Sequence, residues 1–257
     1  MKLDDVIAMI ESEIGNLNPG EASGLFFRGK DEVKAIGFDV DPALSTIEKG
    51  IKQGADLIVT HHLASWSPIS RPAASVTINE ALRRLGAADT GLACYHLVWD
   101  FSRNDGNFLH LAKRLGLTNL SWITKYEKVD GVTVIGELPQ EYDMTSLPEY
   151  VTSKFQPRPA VKVYENNSEP FKKIAVSTGS GVKDFLLEDI YRNGITTYVT
   201  GEPSHAGVRV AKDLGINVIC MGHYWTEALG MQNLMAKIQT RLGPEIKTVF
   251  IDDSGGC

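Results

Sequence analysis

The 257-residue sequence predicts an α/β fold of two related lobes with mainly parallel strands. Three observations predict it. Short β-branched runs alternate with helical segments, the alternation occurs twice with similar residues, and polar residues gather just past the ends of the apolar runs.

In chain order, Met1 to Gly15 reads as an amphipathic helix, with Val6, Ile7, Ile10 and Ile14 at helical spacing, rather than as a secretory leader. Strands are expected at Val33–Phe38, Asp56–Thr60 and Thr90–Tyr95. Between the first two, Asp41-Pro42 starts a helix as capping carboxylate and first-turn proline, and Gly54 closes it. Thr77 and Glu80 have capping-box spacing at the start of the next helix. His110 falls inside an ordinary amphipathic helix and reads as a partly buried structural histidine. Gly131–Leu138 and Ala160–Tyr164 look like extra strands flanking a helix at Pro148. The second series runs through Lys173–Ser177, a helix over Val182–Asn193, Thr196–Thr200, Asn217–Met221 and a last long helix. The expected lobes are residues 1–127 and 128–257.

Composition narrows the class. The hydrophobic share of 43% and charged share of 23% are those of a compact globular protein. With 26 Lys and Arg against 32 Asp and Glu, the net charge of -6 has the wrong sign for gripping a nucleic-acid backbone. No apolar run approaches the roughly 18 residues needed to span a bilayer. Cys94, Cys220 and Cys257 are odd in number and include no C-x-x-C pair, which speaks against a disulfide framework or a thiolate zinc cage and fits a cytoplasmic location.

The repeat appears when the halves are laid over each other. Val33-Lys-Ala-Ile-Gly-Phe-Asp39 leads through a helix to Gln53-Gly-Ala-Asp-Leu-Ile-Val-Thr-His-His62, and Phe171-Lys-Lys-Ile-Ala-Val-Ser177 leads through a helix to Asn193-Gly-Ile-Thr-Thr-Tyr-Val-Thr-Gly-Glu202. Leu85-Gly then precedes a strand ending in Cys94-Tyr-His-Leu-Val-Trp-Asp100, and Leu214-Gly one ending in Met221-Gly-His-Tyr-Trp-Thr-Glu227. Each half therefore follows a strand with His-x-x-x-acid.

In α/β sheets ligands bind outside the carboxyl ends of the strands, where these histidines crowd. His61 and His62 follow one expected strand, His96 another and His223 a third, with His205 just beyond Thr200-Gly-Glu-Pro. An imidazole and a carboxylate four residues apart share one face of a helical turn, so His96/Asp100 and His223/Glu227 can each aim two ligands at one point. The two lobes are accordingly expected to face a shared metal-binding cleft holding His61, His62, Asp100, His223 and Glu227, with Glu227 a candidate bridge. Nitrogen and carboxylate donors without cysteine suit zinc, iron, manganese or cobalt. His96 reads as ligand, orienting group or proton shuttle. The glycine-rich Ser177-Thr-Gly-Ser-Gly181 reads either as an anion-binding turn or as a tight turn before a helix, without a P-loop or dinucleotide fingerprint. No serine elbow or cysteine nucleophile stands out, and Ser65 and Ser67 read equally as loop caps.

Ala55-Asp-Leu-Ile-Val-Thr-His-His62, Thr200-Gly-Glu202, Leu214-Gly-Ile-Asn-Val-Ile219 and Gly222-His-Tyr-Trp-Thr-Glu227 together resemble the Nif-three-like family, whose members are often named GTP cyclohydrolase I type 2 homologues. The resemblance covers essentially the whole chain. It implies paired α/β lobes, two divalent metals held by His61, His62, Asp100, His223 and Glu227, and a ring-shaped homohexamer. Two departures alter the pocket wall while leaving these residues in place: Leu63 follows the histidine pair where the family has proline, and Tyr95-His-Leu-Val-Trp-Asp100 replaces Ser-His-Thr-x-x-Asp. The expected activity is metal-dependent hydrolysis of a small nucleotide-like substrate, with His96 and His205 as catalytic candidates. A metal-dependent phosphoesterase and a non-enzymatic metal-binding scaffold are the alternatives.

Overall fold

A computed structural model gives the fold, and the structure describes residues 1–15, 23–63, 75–126, 129–156 and 158–254. Ser65 and Ser67 lie outside the described residues. The chain forms two compact units, Met1–Asn104 with Met231–Cys257, and Asp105–Gly230. The division therefore does not fall once, near residue 127, as the sequence suggested. The reason is long-range pairing: strand β11 (Lys247–Phe250) runs parallel to β2 (Ala35–Asp39), returning the chain's last elements to its first ones.

The first unit opens with α1 (Leu3–Ile14), whose buried face is Leu3, Val6, Ile10 and Ile14. Its sheet also contains β1 (Gly24–Phe27), β3 (Leu57–Thr60) and β4 (Gly91–Cys94), in the order β1-β4-β3-β2-β11. Every pairing in it is parallel except β1 with β4. β3 and β4 are buried at every position, as expected of parallel strands covered on both faces. Helices α2 (Leu44–Lys52) and α3 (Val76–Ala88) pack on this sheet, where Ile47, Ile58, Leu85, Leu92 and Ile251 form a core. The short α4 (Leu97–Asp100) follows β4.

Two helix starts differ from expectation. The N-cap of α2 is Ala43, with no side-chain cap, so neither Asp41 nor Pro42 plays its expected part. At α3 the cap is Ser75, whose hydroxyl accepts from the Ile78 amide at 3.4 Å, while Glu80 bonds Arg83 and Arg84 instead of the helix end.

The second unit begins with α5 (Asn107–Arg114), on which His110 is half-buried beside Asp105 at 3.2 Å. Its six-stranded sheet has the order β5-β6-β8-β9-β10-β7, from β5 (Thr118–Tyr126), β6 (Val129–Tyr142), β7 (Lys162–Tyr164), β8 (Phe171–Val176), β9 (Thr197–Thr200) and β10 (Asn217–Cys220). β8, β9 and β10 are parallel neighbours, and antiparallel strands flank them. Helix α6 (Leu147–Ser153) carries Pro148, and α7 (Asp184–Arg192) starts two residues later than the sequence suggested. α7 packs with α8 (His205–Asp213), and the core under them includes Ile190, Tyr198, Ala211, Ile216 and Val218. The long α9 (His223–Leu242) begins in this unit and ends in the first.

Each unit taken by itself shows the internal repeat in its topology. β2, β3 and β4 are consecutive parallel neighbours, as are β8, β9 and β10, and each third strand carries an antiparallel partner, β1 or β7. The exits match bond for bond: Tyr95 N–H donates to Thr60 O at 2.9 Å, and Met221 N–H to Thr200 O at 2.9 Å. Likewise Gly91 N–H reaches Asp56 O and Asn217 N–H reaches Thr196 O, both at 2.8 Å. Among the described residues no helix is long and apolar enough to cross a membrane.

Candidate metal centre

In the first unit the histidines stand where buried strands end. β3 is buried to Thr60, and the amides of His61 and His62 are still held by Asp39 O and Val40 O at 3.2 and 2.8 Å. The backbone is thus fixed at both residues, and both side chains are buried, His61 completely. His96 follows β4 and stands at the N-cap of α4. Its ring centroid lies 4.9 Å from that of His61 and 5.6 Å from that of His62, and the three rings offer nitrogen atoms within 4.8 Å of one another. One helical turn on, Asp100 places Oδ1 3.4 Å from His61 Nε2 and Oδ2 4.0 Å from His96 Nε2.

In the second unit, the first turn of α9 brings His223 Nε2 within 3.2 Å of Glu227 Oε1. Glu227 is 2% exposed, a burial that a carboxylate tolerates only when its charge is matched. The glycine-rich turn after β8 is packed around this pair. Gly179 has φ +60°, and a Cβ there would lie 2.2 Å from Glu227 Oε1 and 3.0 Å from His223 Nε2. Its amide donates to Thr226 Oγ1 at 3.0 Å and its carbonyl accepts from the Glu202 amide at 2.9 Å. Within Ser177–Gly181 the Gly179 amide is taken up by Thr226 and is not available to an anion.

The imidazoles share one arrangement. His61 Nδ1 lies 3.1 Å from Tyr95 O, His62 Nδ1 2.5 Å from Asp41 Oδ1, and His223 Nδ1 3.0 Å from Glu202 Oε1. An oxygen acceptor on Nδ1 takes the ring proton there and leaves the Nε2 lone pair to coordinate, as in histidines that hold metals. The residues therefore fit divalent ions: Nε2 donors fixed from behind, buried carboxylates beside them, and a side-chain-free position at Gly179. Within the first unit an ion would be held by His61 and His62 and would neutralise Asp100, and within the second His223 would offer a nitrogen ligand beside Glu227.

In the sequence Asp41 has the look of a helix cap and Glu202 stands in the Thr200-Gly-Glu motif, with neither assigned to the site, although the repeat holds a signal, since Glu202 occupies the place of His62. His205 is exposed at the first position of α8, whose cap is Ser204, and is not in the first unit's imidazole cluster. A cavity of about 550 Å³ is lined by His62 and Asp41 together with Phe26, Leu63, Ile78 and Asp253, all of the first unit.

A profile of the Duf34/NIF3 (NGG1p interacting factor 3) family matches residues 1–255. The chain belongs to this family. Among its NIF3 relatives, the protein of Pyrococcus horikoshii named GTP cyclohydrolase 1 type 2 homolog is 33% identical over the whole of both chains. The solved structure of reduced HcgD from Methanocaldococcus jannaschii superposes with a TM-score of 0.84 at 22% identity, covering 98% of each chain. A Bacillus cereus protein related to NIF3 does so with a TM-score of 0.84 at 15% identity, over 97% of this chain and 96% of that one. These two structural likenesses speak for the NIF3 fold alone.

Proposed function

We propose that this NIF3-family chain holds two divalent ions, zinc, iron or manganese, on His61, His62, Asp100, His223 and Glu227, and hydrolyses a small nucleotide-like substrate. The observation that carries the reading is the shared arrangement of His61, His62 and His223, each with an oxygen on Nδ1. The name of the Pyrococcus horikoshii relative supports a purine nucleotide such as GTP. When bound, two divalent ions supply Lewis acidity that activates water near neutral pH.

The chain's own residues supply the rest. Tyr95 O holds the His61 imidazole. Asp100 and Glu227 contribute negative charge at fixed positions. In the purine version, water adds at C8 and the five-membered ring opens. His96, half-buried beside the His61 and His62 rings, is the first candidate for holding and moving the proton, and His205 the second. The same reading includes a cytoplasmic location, supported by buried thiols outside any disulfide at Cys94 and Cys220, and a homohexamer, which light scattering would register as six times the 28.2 kDa chain.

The test loads metal-free protein with zinc, iron or manganese and assays GTP and a phosphodiester panel. GTP ring opening that disappears in His62→Ala, Glu227→Ala supports the reading. Turnover surviving in that double variant sinks the site assignment, cleavage of phosphodiesters alone moves the activity to a phosphoesterase, and metal binding without turnover leaves a binding or scaffold protein.

A further inference from the structure

The carboxylates behind His62 and His223 are the part of the molecule that the proposed chemistry leaves unassigned. Asp41 lies in the turn between β2 and α2, where a helix cap was expected, but is not the N-cap of α2. Its Oδ1 instead meets His62 Nδ1 at 2.5 Å. Glu202 follows β9, with its amide fixed on Gly179 O at 2.9 Å and its Oε1 3.0 Å from His223 Nδ1. Both carboxylates are nearly half exposed, at 44% and 46%, while His62 is 8% exposed and His223 30%. A solvated carboxylate loses little by forming an ion pair and contributes little to folding. The partner imidazole gains a fixed ring orientation and a proton confined to Nδ1.

We propose that Asp41 and Glu202, without being ligands themselves, are positioning residues that hold His62 and His223 through Nδ1 so that Nε2 is presented to the metal. The two arrive from different elements, a first-strand exit in one unit and a second-strand exit in the other, so the same pairing has been built twice from different parts of the repeat. His61 needs no such carboxylate because Tyr95 O does the same work at 3.1 Å. Negative charge on Nδ1 also makes Nε2 a stronger donor, which a neutral carbonyl does less well. His62 and His223 are thereby the strongly donating imidazoles and His61 the weaker one.

This inference rests on the metal-site reading, and one experiment separates the two. Metal-free full-length chain, with Asp41→Ala, Asp41→Asn, Glu202→Ala and Glu202→Gln, is titrated with zinc against a fluorescent chelator and with cobalt in the visible range. Asp41→Ala and Glu202→Ala are expected to weaken zinc binding by about 10–100-fold. At saturation they still take up the wild-type number of cobalt equivalents, with shifted d–d bands, and their metal-free unfolding midpoints stay at the wild-type value. The Asn and Gln variants recover part of the affinity, because a side-chain carbonyl still accepts from Nδ1–H. Wild-type affinity and spectra in both alanine variants would overturn the positioning role alone. Loss of an ion outright in both the Ala and the amide variants would make these residues ligands and overturn it as well. A wild-type chain that binds none of zinc, cobalt, iron and manganese would overturn both readings.

Discussion

Gly179 leaves out a side chain where the Glu227 carboxylate needs room, since a Cβ on Gly179 would come within 2.2 Å of Oε1. The turn cannot retreat, because the Gly179 amide is held by Thr226 and its carbonyl by the Glu202 amide. Gly179→Ala therefore has to push Glu227 or break the turn. Zinc affinity measured by chelator competition should fall at least tenfold. Stability should fall by about 1 kcal/mol from the positive φ alone. Gly194, also at positive φ but with nothing within 4 Å of the place a Cβ would take, serves as control, and its alanine variant should lose stability without losing metal.

The same turn is anchored from below by hydroxyls. Tyr198 donates to Gly181 O at 3.1 Å and pairs with Ser177, which also meets Thr200 Oγ1 at 3.3 Å. Burial pushes the Tyr198 phenol up to about 12, so it remains a donor well into alkali. Tyr198→Phe removes that donor from a fully buried cluster, and urea unfolding should show a loss of about 1–3 kcal/mol.

Asp56 predicts an acid limit for the first unit. Burial raises its pKa, but Lys30 at 2.6 Å and the amides of Lys34 and Ala35 at 2.6 and 3.1 Å outweigh this and hold the carboxyl below its ordinary value. A depressed folded pKa contributes stability above the unfolded value of about 3.9, and that stability is lost as pH falls through the folded value. Asp56→Asn should cost about 1.5–3 kcal/mol at pH 7 and flatten the stability loss as pH falls below about 4 in urea titrations. An unchanged acid slope would remove Asp56 from this role.

The thiols should be silent in the native protein. Cys94 and Cys220 are buried thiols outside any disulfide, and burial pushes the Cys220 thiol up to about 12. A Cys257→Ser variant should give no rapid reaction with a thiol-specific aromatic disulfide at pH 8 and two equivalents after denaturation.

The parts of the fold read correctly from sequence are those in which local pattern and tertiary fate agree. Leu57–Thr60 and Asn217–Cys220 are buried on both faces, so continuous apolar runs mark them as strands, and the polar residues just after them mark the candidate site. β1 and β11 escaped because they are four-residue, partly exposed edge strands. β5 escaped because bulges at Thr118/Ser121 and Ile123/Lys125, with Asn119 and Thr124 at positive φ, erase its alternation. Asp41 was misread for a different reason. Asp-Pro before a helical pattern satisfies every local rule for a cap, and only the approach of His62 in space gives the carboxylate another partner.

The pairing of β11 with β2 sets an order of completion during synthesis. The first unit starts the chain, yet its sheet lacks one edge until Lys247–Phe250 has been made, and Ile251 then fills the space beside Gly37 and Gly50. Asp253 closes the join through Lys49 and the backbone contact of its amide to Asp39. The second unit, an unbroken stretch from Asp105 to Gly230, meets no such delay. On the ribosome, the polypeptide that emerges earliest, with His61 and His62 already in it, cannot complete its sheet until the tail that supplies β11 has been made, whereas the later segment needs nothing beyond Gly230.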